Sequence, residues 1–406
     1  MAELPSEIIH NIFSRMSVKS LARSRCVSKQ WYAYINDNYL EIMHAKRAAV
    51  YDPMLIMFHQ LPFVIHMNAP CTLSFLDYKY EEDDCTLEVR KKPSVMEFMT
   101  SMWCFTYPND IILGSCNGLI YSSQGGCDDD NMLVVINPLK KKCYVLPPIK
   151  TPFHSQQSPS IDHGQVRKHI GSSNTFKTRV DKADGLGFDE STNTFKMVSV
   201  EVRKPVRSSN VDYQVKEDVC TMVHVLGTES WRKIPQVPCY PITGEGVFAN
   251  GCLHWLISDE DDDDRPTYLG RPVVSFDVVN EGFGLINPPQ ERPSGWVREQ
   301  LVDLNGKLGY VYNIVNRIVE VWVLMERGWV MHCEFRQKPP LPRGFIKVLG
   351  FWNEDGDILM TDETKNMFVY DRSNRLYEVC FDRKEKDGVD IRLYQSSLFS
   401  TRYSFD

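Results

Sequence analysis

Between residues 4 and 35, in LPSEIIHNIFSRMSVKSLARSRCVSKQWYAYI, apolar residues return with a helical period. Ile8, Ile9, Ile12, Phe13 and Met16 recur at three- and four-residue intervals, which places them on one broad face of a helix. Pro5 suits the first turn of that helix, where its missing N–H costs nothing. Ser17 is placed to cap a second short helix carrying Val18 and Leu21, and Ser28 a third carrying Trp31, Ile35 and Tyr39. Three short helices of this size enclose too little volume to bury every one of these side chains. Part of their apolar surface is therefore expected to face another protein.

From about residue 50 the period changes to two, and short runs of Val, Ile, Phe, Tyr and Leu alternate with polar residues between turn-forming clusters. Five segments read as hairpins: VVINPLKKKC, VHVLGTESW, VSFDVVNEGF, EVWVLMERGW and FVYDRSNRLY. Their spacing pairs Ile136 with Cys143, His224 with Trp231, Phe276 with Phe283, Trp322 with Trp329 and Tyr370 with Tyr377. Ahead of four of them stand turn dipeptides, Asn117-Gly118, Asn250-Gly251, Asn305-Gly306 and Asp355-Gly356. The fifth is preceded by GLGFDESTNTFKMVSV, where Phe188 and Phe195 flank a longer polar turn. Two hairpins per unit make a four-stranded blade, and late units begin about 45 to 50 residues apart, the period of a β-propeller. MLIMFHQL and CTLSFLDY, near residues 54 and 71, and DIRLYQSSLF, near 390, remain for a composite blade that closes the ring and removes its open edges. The expected fold is α+β and multidomain: a short three-helix unit over residues 1–45, then an all-β propeller of about six four-stranded blades over residues 50–400.

Charge and composition narrow the partners. With 46 Lys plus Arg against 53 Asp plus Glu the net charge is -7, which offers no general attraction to phosphate backbones or anionic membranes. Neither a signal peptide nor a membrane span can be drawn, and a cytoplasmic or nuclear protein is expected. The 12 cysteines contain no C-x-x-C, so no zinc ribbon or compact disulfide framework follows. Most are expected to be small buried hydrophobes.

Leu4-Pro5, Ile8, Ile12-Phe13, Val18, Leu21, Arg23, Cys26-Val27-Ser28-Lys29 and Trp31 together resemble an F-box, with Met16 where leucine is more usual. The later segments GSCNGLI, INPLKKKCYVLPP, GLGFDESTNTFKMV, TESWRKIP, GVFANGCLHWL and SFDVVNEGF resemble, in order, the F-box-associated domain of a large plant F-box family. The resemblance implies that Leu4, Pro5, Ile8, Ile12, Phe13, Val18, Leu21, Val27 and Trp31 form a unit that docks on a Skp-type adaptor and, through it, a cullin. Some would act by contact and others by holding the helices. The propeller would then hold a target protein for ubiquitination and proteasomal degradation, with no cofactor and no catalytic residue in this chain.

Other features invite sites and lose them. Residues 150–184 are polar and Ser-rich and read as a mobile loop. SDEDDDDRP, from Ser258, lacks the alternating ligands and the glycine of a calcium loop and reads as solvated, as do the acidic runs at Tyr80 and Cys127. His254, Trp231, Trp322 and Trp329 occupy repeat positions and read as packing. Trp296, in the connection ERPSGWVREQ, is the one aromatic that reads as a partner anchor. No G-x-S-x-G, H-E-x-x-H or Gly-rich phosphate loop appears, so a propeller enzyme ranks behind a ligase subunit, as does a non-degradative propeller lectin or scaffold.

Overall fold

The computed structural model describes residues 4–37, 39–44, 54–60, 69–81, 86–91, 96–100, 114–124, 132–150, 178–205, 218–258, 270–289, 297–314, 318–336, 344–353, 355–364, 366–371, 373, 375–380 and 389–398. Three named helices open the chain: α1 (Ser6–Phe13), α2 (Val18–Ser24) and α3 (Lys29–Ile35). Both expected serine caps form. Ser17 Oγ accepts the Ser20 amide at 3.2 Å and Ser28 Oγ accepts the Trp31 amide at 3.0 Å, each satisfying an N–H that the first turn leaves over. Two details differ from the sequence reading. Pro5 is the N-cap of α1 rather than a residue of its first turn. Tyr39 belongs to a fourth short helical stretch, residues 39–44, because Asn36 and Asp37 break α3 and the Asp37 carboxylate accepts the Tyr39 amide at 3.2 Å.

Six blades follow around a ring, and the last two share one continuous sheet because Leu376–Cys380 pairs in parallel with Thr86–Lys91. Blade I comprises Gly114–Cys116, Leu119–Gln124, Met132–Asn137 and Lys142–Val145; blade II Thr178–Asp189, Thr194–Pro205, Asp218–Val225 and Arg232–Ile234. Blade III comprises Val247–Ala249, Cys252–Leu256, Val273–Asp277 and Gly282–Ile286; blade IV Val297–Leu304, Lys307–Ile314, Ile318–Met325 and Gly328–Arg336. Blade V holds Ile346–Phe351, Ile358–Asp362, Met367–Tyr370 and Leu376–Cys380. Blade VI is composite: Val389–Tyr394 pairs with Met54–Gln60, which pairs with Ala69–Glu81, which pairs with Thr86–Lys91. The ring closes as the leftover strands required.

Apolar side chains fill every seam between neighbouring blades. Leu186, Phe188 and Tyr121 join I to II; Val198, Trp255 and Phe276 join II to III; Tyr310, Tyr312 and Val273 join III to IV. Val321, Phe335 and Met360 join IV to V; Leu55, Trp352 and Leu359 join V to VI; Ile56, Ile120 and Tyr394 join VI to I. Strands buried on both faces must be apolar on both, which is why several read as continuous runs rather than alternating ones.

Three of the five hairpin registers are those expected from sequence. Ile136 faces Cys143 and Phe276 faces Phe283, while Val223 faces Arg232 and the His224 and Trp231 rings meet at a tilt of 40° with centroids 5.2 Å apart. Trp322 instead faces Met331, because the turn after Met325 is tight, Met325 lying opposite Gly328; a bulge then shifts the ladder beyond it, between Trp322 and Val321. Tyr377 faces Val369, one place off, since Asp371 spans its turn to the Arg375 amide. Where the Asx residue opens a longer loop, with Asn137 opposite Lys142 and Asp277 opposite Gly282, the register holds: Asn137 Oδ1 accepts the Lys140 amide, and Asp277 Oδ1 those of Val279 and Asn280.

Asn117-Gly118, Asn250-Gly251 and Asn305-Gly306 each place both residues at positive φ, from 45° to 82°, the backbone of a two-residue hairpin turn. Asp355-Gly356 does not share this geometry. Only Gly356 is positive there, in a longer turn closed by the Trp352 amide on the Asp357 carbonyl at 2.6 Å. The 150–184 loop is also shortened, since Thr178–Asp189 is a strand paired along its whole length with Thr194–Pro205. Its polar residues hid it: Lys182 lies opposite Glu201 and pairs with it at 3.1 Å, while the core side is carried by Ala183. Residues 151–177 lie outside the described residues.

Candidate interaction surface

The helical unit sorts its apolar residues into two sets. Phe13, Val18 and Leu21 are buried, with Ile35 and Leu40 beside them. Leu4, Ile8, Ile12, Val27 and Trp31 are exposed over 37% to 64% of their surface, and Pro5 is exposed as well. The division follows α1 itself: Ile8 and Ile12, four apart, share an outward face, while Ile9 and Phe13 turn inward. Trp31 bridges the sets, its ring meeting the edge of buried Phe13 at 5.1 Å, and the Ser28 cap fixes its backbone. Large apolar side chains held outward by a packed interior are a surface poised for a partner. Tyr32 and Tyr39, also more than half exposed, add hydroxyl-bearing rings that the motif does not single out.

Two histidines brace this unit from within. His10 meets the edges of Tyr34 and Tyr39 at 5.3 and 5.4 Å and lies 3.1 Å from the Asp37 carboxylate. His44 Nε2 lies 2.9 Å from the Met16 carbonyl, which can only accept, so this nitrogen carries the proton. Burial lowers the His44 pKa and the carbonyl partly offsets this.

The unit sits on a definite face of the ring. The Asn-Gly turns join the first and second strands of their blades, and neighbouring turns touch, the Asn250 amide donating to the Gly306 carbonyl at 2.9 Å. Tyr394 OH donates to the Gly118 carbonyl at 3.0 Å, and Gln395 Nε2 to Asn305 Oδ1 at 3.4 Å, so the chain leaves the last strand across these turns. It then enters the helical unit, where Leu398 is buried. Ile42 packs against the Cys116 and Leu119 cluster beside the same turns. The second strands of the blades end, and their third strands begin, at the opposite face.

Trp296 lies outside the described residues, as do residues 127–131 and 259–266 of the acidic runs. Trp231 and Trp329 are packed and bonded. Trp231 Nε1 donates to the Pro147 carbonyl at 2.7 Å and Trp329 Nε1 to that of Asn287 at 2.8 Å, each tying an outer strand to the blade before it. His254 is buried, with Nδ1 facing the Val247 carbonyl at 3.2 Å. Among the described residues no group of three or more His, Cys, Asp or Glu side chains could hold a metal ion. No described helix is long and apolar enough to cross a membrane. Among the described cysteines, Cys116 and Cys220 are buried, Cys252 and Cys333 are half-buried, and Cys26, Cys143 and Cys239 are exposed. Cys26 lies in the turn after α2, Cys143 in the outer strand of blade I and Cys239 in the connection after blade II.

Comparison with known proteins assigns both parts. Residues 1–43 match the F-box domain and residues 60–392 the F-box associated beta propeller domain. F-box protein At3g07870 from Arabidopsis thaliana is 24% identical, the alignment covering 91% of this chain and 85% of that protein. The F-box/kelch-repeat protein At3g23880 from the same plant is 21% identical over 98% of this chain and 95% of its own. F-box protein CPR1, also from Arabidopsis thaliana, is 26% identical over 80% and 70% respectively.

Proposed function

The chain belongs to the F-box-associated β-propeller family, and we propose that it is the substrate-recognition subunit of a Skp–cullin–F-box ubiquitin ligase. The observation that carries this reading is the outward set Leu4, Pro5, Ile8, Ile12, Val27 and Trp31, held by the buried Phe13, Val18 and Leu21. Such a surface suits a Skp-type adaptor, which would link the chain to a cullin and a ubiquitin-charged conjugating enzyme. The chain itself makes and breaks no bond. It raises the effective concentration of a target beside that enzyme and so turns a rare bimolecular encounter into a local one.

The target would be read from the propeller face opposite the Asn-Gly turns, since the helical unit occupies the near one. Loops on a rigid ring vary without disturbing the seams. Trp296, which the sequence places between blades III and IV, is the preferred probe of target binding, and Trp296→Ala should weaken target capture while sparing adaptor binding.

The test of the whole reading is reconstitution. The full chain should copurify with a Skp-type adaptor and cullin, and Leu4→Ala with Pro5→Ala should weaken that capture severely while leaving the β signature in circular dichroism unchanged. Undiminished capture by the double variant, or none by the natural chain, would refute it.

A further inference from the structure

The helical unit has a second apolar side, which is buried within the chain. Phe13, Leu21, Ile35 and Leu40 converge there in one buried cluster, and its fifth member is Leu398, from the segment that follows the last propeller strand. Leu398 keeps 1% of its surface and Ser397 beside it 2%. The path is short. Tyr394 ends the innermost strand of blade VI and is bonded to Gly118, Gln395 meets Asn305, and three residues later Leu398 is inside the helices.

Three helices of eight, seven and seven residues are below the length at which isolated helices persist in water. Their stability must come from tertiary packing, and one of the side chains that supplies it comes from the other end of the sequence. The unit is also held from its own end, where Leu40 enters the same cluster and Ile42 packs between blades I and II. Two attachments from opposite chain ends fix both the fold and the orientation of the helices on the ring.

From this we infer that Leu398 is a positioning residue for adaptor binding. It packs with the buried Phe13, Leu21, Ile35 and Leu40 and so holds the helices that present the outward residues; the strand that closes the propeller thereby also completes the adaptor-binding unit. An open ring would then lose its adaptor as well. The affinity part of this inference rests on the ligase reading above; the part concerning helix order does not.

The experiment compares the full chain with Leu398→Asp, Leu398→Ala and Leu398→Met, measuring adaptor affinity by calorimetry, amide hydrogen exchange across residues 6–44 without adaptor, and the melting of the β signal. Leu398→Asp should exchange faster in α1, α2 and α3 and bind adaptor about tenfold or more weakly, whereas Leu398→Met, which conserves volume, should restore both. The propeller melt should move little. Should the Asp variant prove insoluble, Leu398→Ala carries the same comparison with a smaller loss. Natural exchange rates and natural affinity in Leu398→Asp would overturn the inference. If the natural chain captures no adaptor, the ligase reading falls, and the exchange arm still decides the role of Leu398.

Discussion

Ile56 lies opposite Arg392 in one antiparallel ladder, so strands from early and late in the sequence share the blade that closes the ring. Deleting residues from Asp390 onward removes the innermost strand of that blade and exposes the edge of Met54–Gln60. Soluble yield should fall sharply, and the remaining protein should aggregate through the open edge. Deleting residues 1–45 leaves every ladder of the ring in place, and its β signature should persist. A carboxyl-terminal truncation that melts like the intact chain would count against closure.

Within the helical unit, burial separates two kinds of substitution. Leu21 is fully buried, and Leu21→Ala should destabilise the unit by about 2–5 kcal/mol. Half-exposed Ile12 has no such seam to lose, so Ile12→Ala should shift stability by no more than about 0.5 kcal/mol. Adaptor affinity should nevertheless fall about tenfold or more, as it does when a central anchor is truncated. Hydrogen exchange reads the first effect and calorimetry the second.

Lys196 links blades II and III. Its buried ammonium lies 2.8 Å from the Asp189 carboxylate and 2.9 Å from that of Glu281, and donates to the Val278 carbonyl at 2.8 Å. Burial pushes both carboxyls up, but the Lys196 ammonium, with Ser191 and Thr192 donors on Asp189 and Arg232 on Glu281, more than reverses this and holds both below their usual range. Lys196→Met leaves two carboxylates facing each other and should cost about 3–5 kcal/mol. Adding Asp189→Asn and Glu281→Gln should recover much of it. Because both folded pKa values are depressed, their stabilisation is present above the ordinary carboxylate range and lost as pH falls through it; the acid limb of Lys196→Met should be flatter.

Trp231 and Trp329 perform the same service at two rims, each donating to a carbonyl just beyond the outer strand of the preceding blade. Phenylalanine keeps most of the ring and removes the donor. Trp231→Phe and Trp329→Phe should each cost about 1 kcal/mol in denaturant unfolding. The two costs should add, since the residues share no partner.

These links mark the boundary of what the sequence shows. Periodicity revealed the helices, hairpins and composite blade because each rests on local chemistry: the Ser17 and Ser28 caps, the Asn-Gly turns, the Asp277 turn. Register was lost where the connections after Met325 and Tyr370 proved shorter than those of the other hairpins, which changed the count without changing residue type. The strand from Thr178 was hidden because Lys182 and Glu201 neutralise each other across the ladder. Leu398 could not be assigned at all. Its partners lie more than 350 positions away, and a single leucine carries no pattern.

His254 gives a pH-dependent test. It sits in Cys252–Leu256 opposite Val247, and Nδ1 donates to the Val247 carbonyl, since that oxygen can only accept. Burial lowers its pKa from 6.5 to about 4, against the pull of the Val247 and Cys252 carbonyls. Between those values the unfolded chain binds a proton that the folded chain refuses, so stability falls as pH drops through that window. At about 1.36 kcal/mol per unit the loss is on the order of 3 kcal/mol. Asp184 and Asp303 run the other way. Burial raises both to about 6, so the folded chain keeps protons that the unfolded chain releases, and their contribution is lost as pH rises. The histidine is therefore isolated by difference: melting of the natural chain minus that of His254→Gln, from pH 7 down to 4. Gln does not titrate and retains a donor for Val247, so the difference should shrink steadily as pH falls. Parallel profiles would show that His254 does not carry the acid sensitivity.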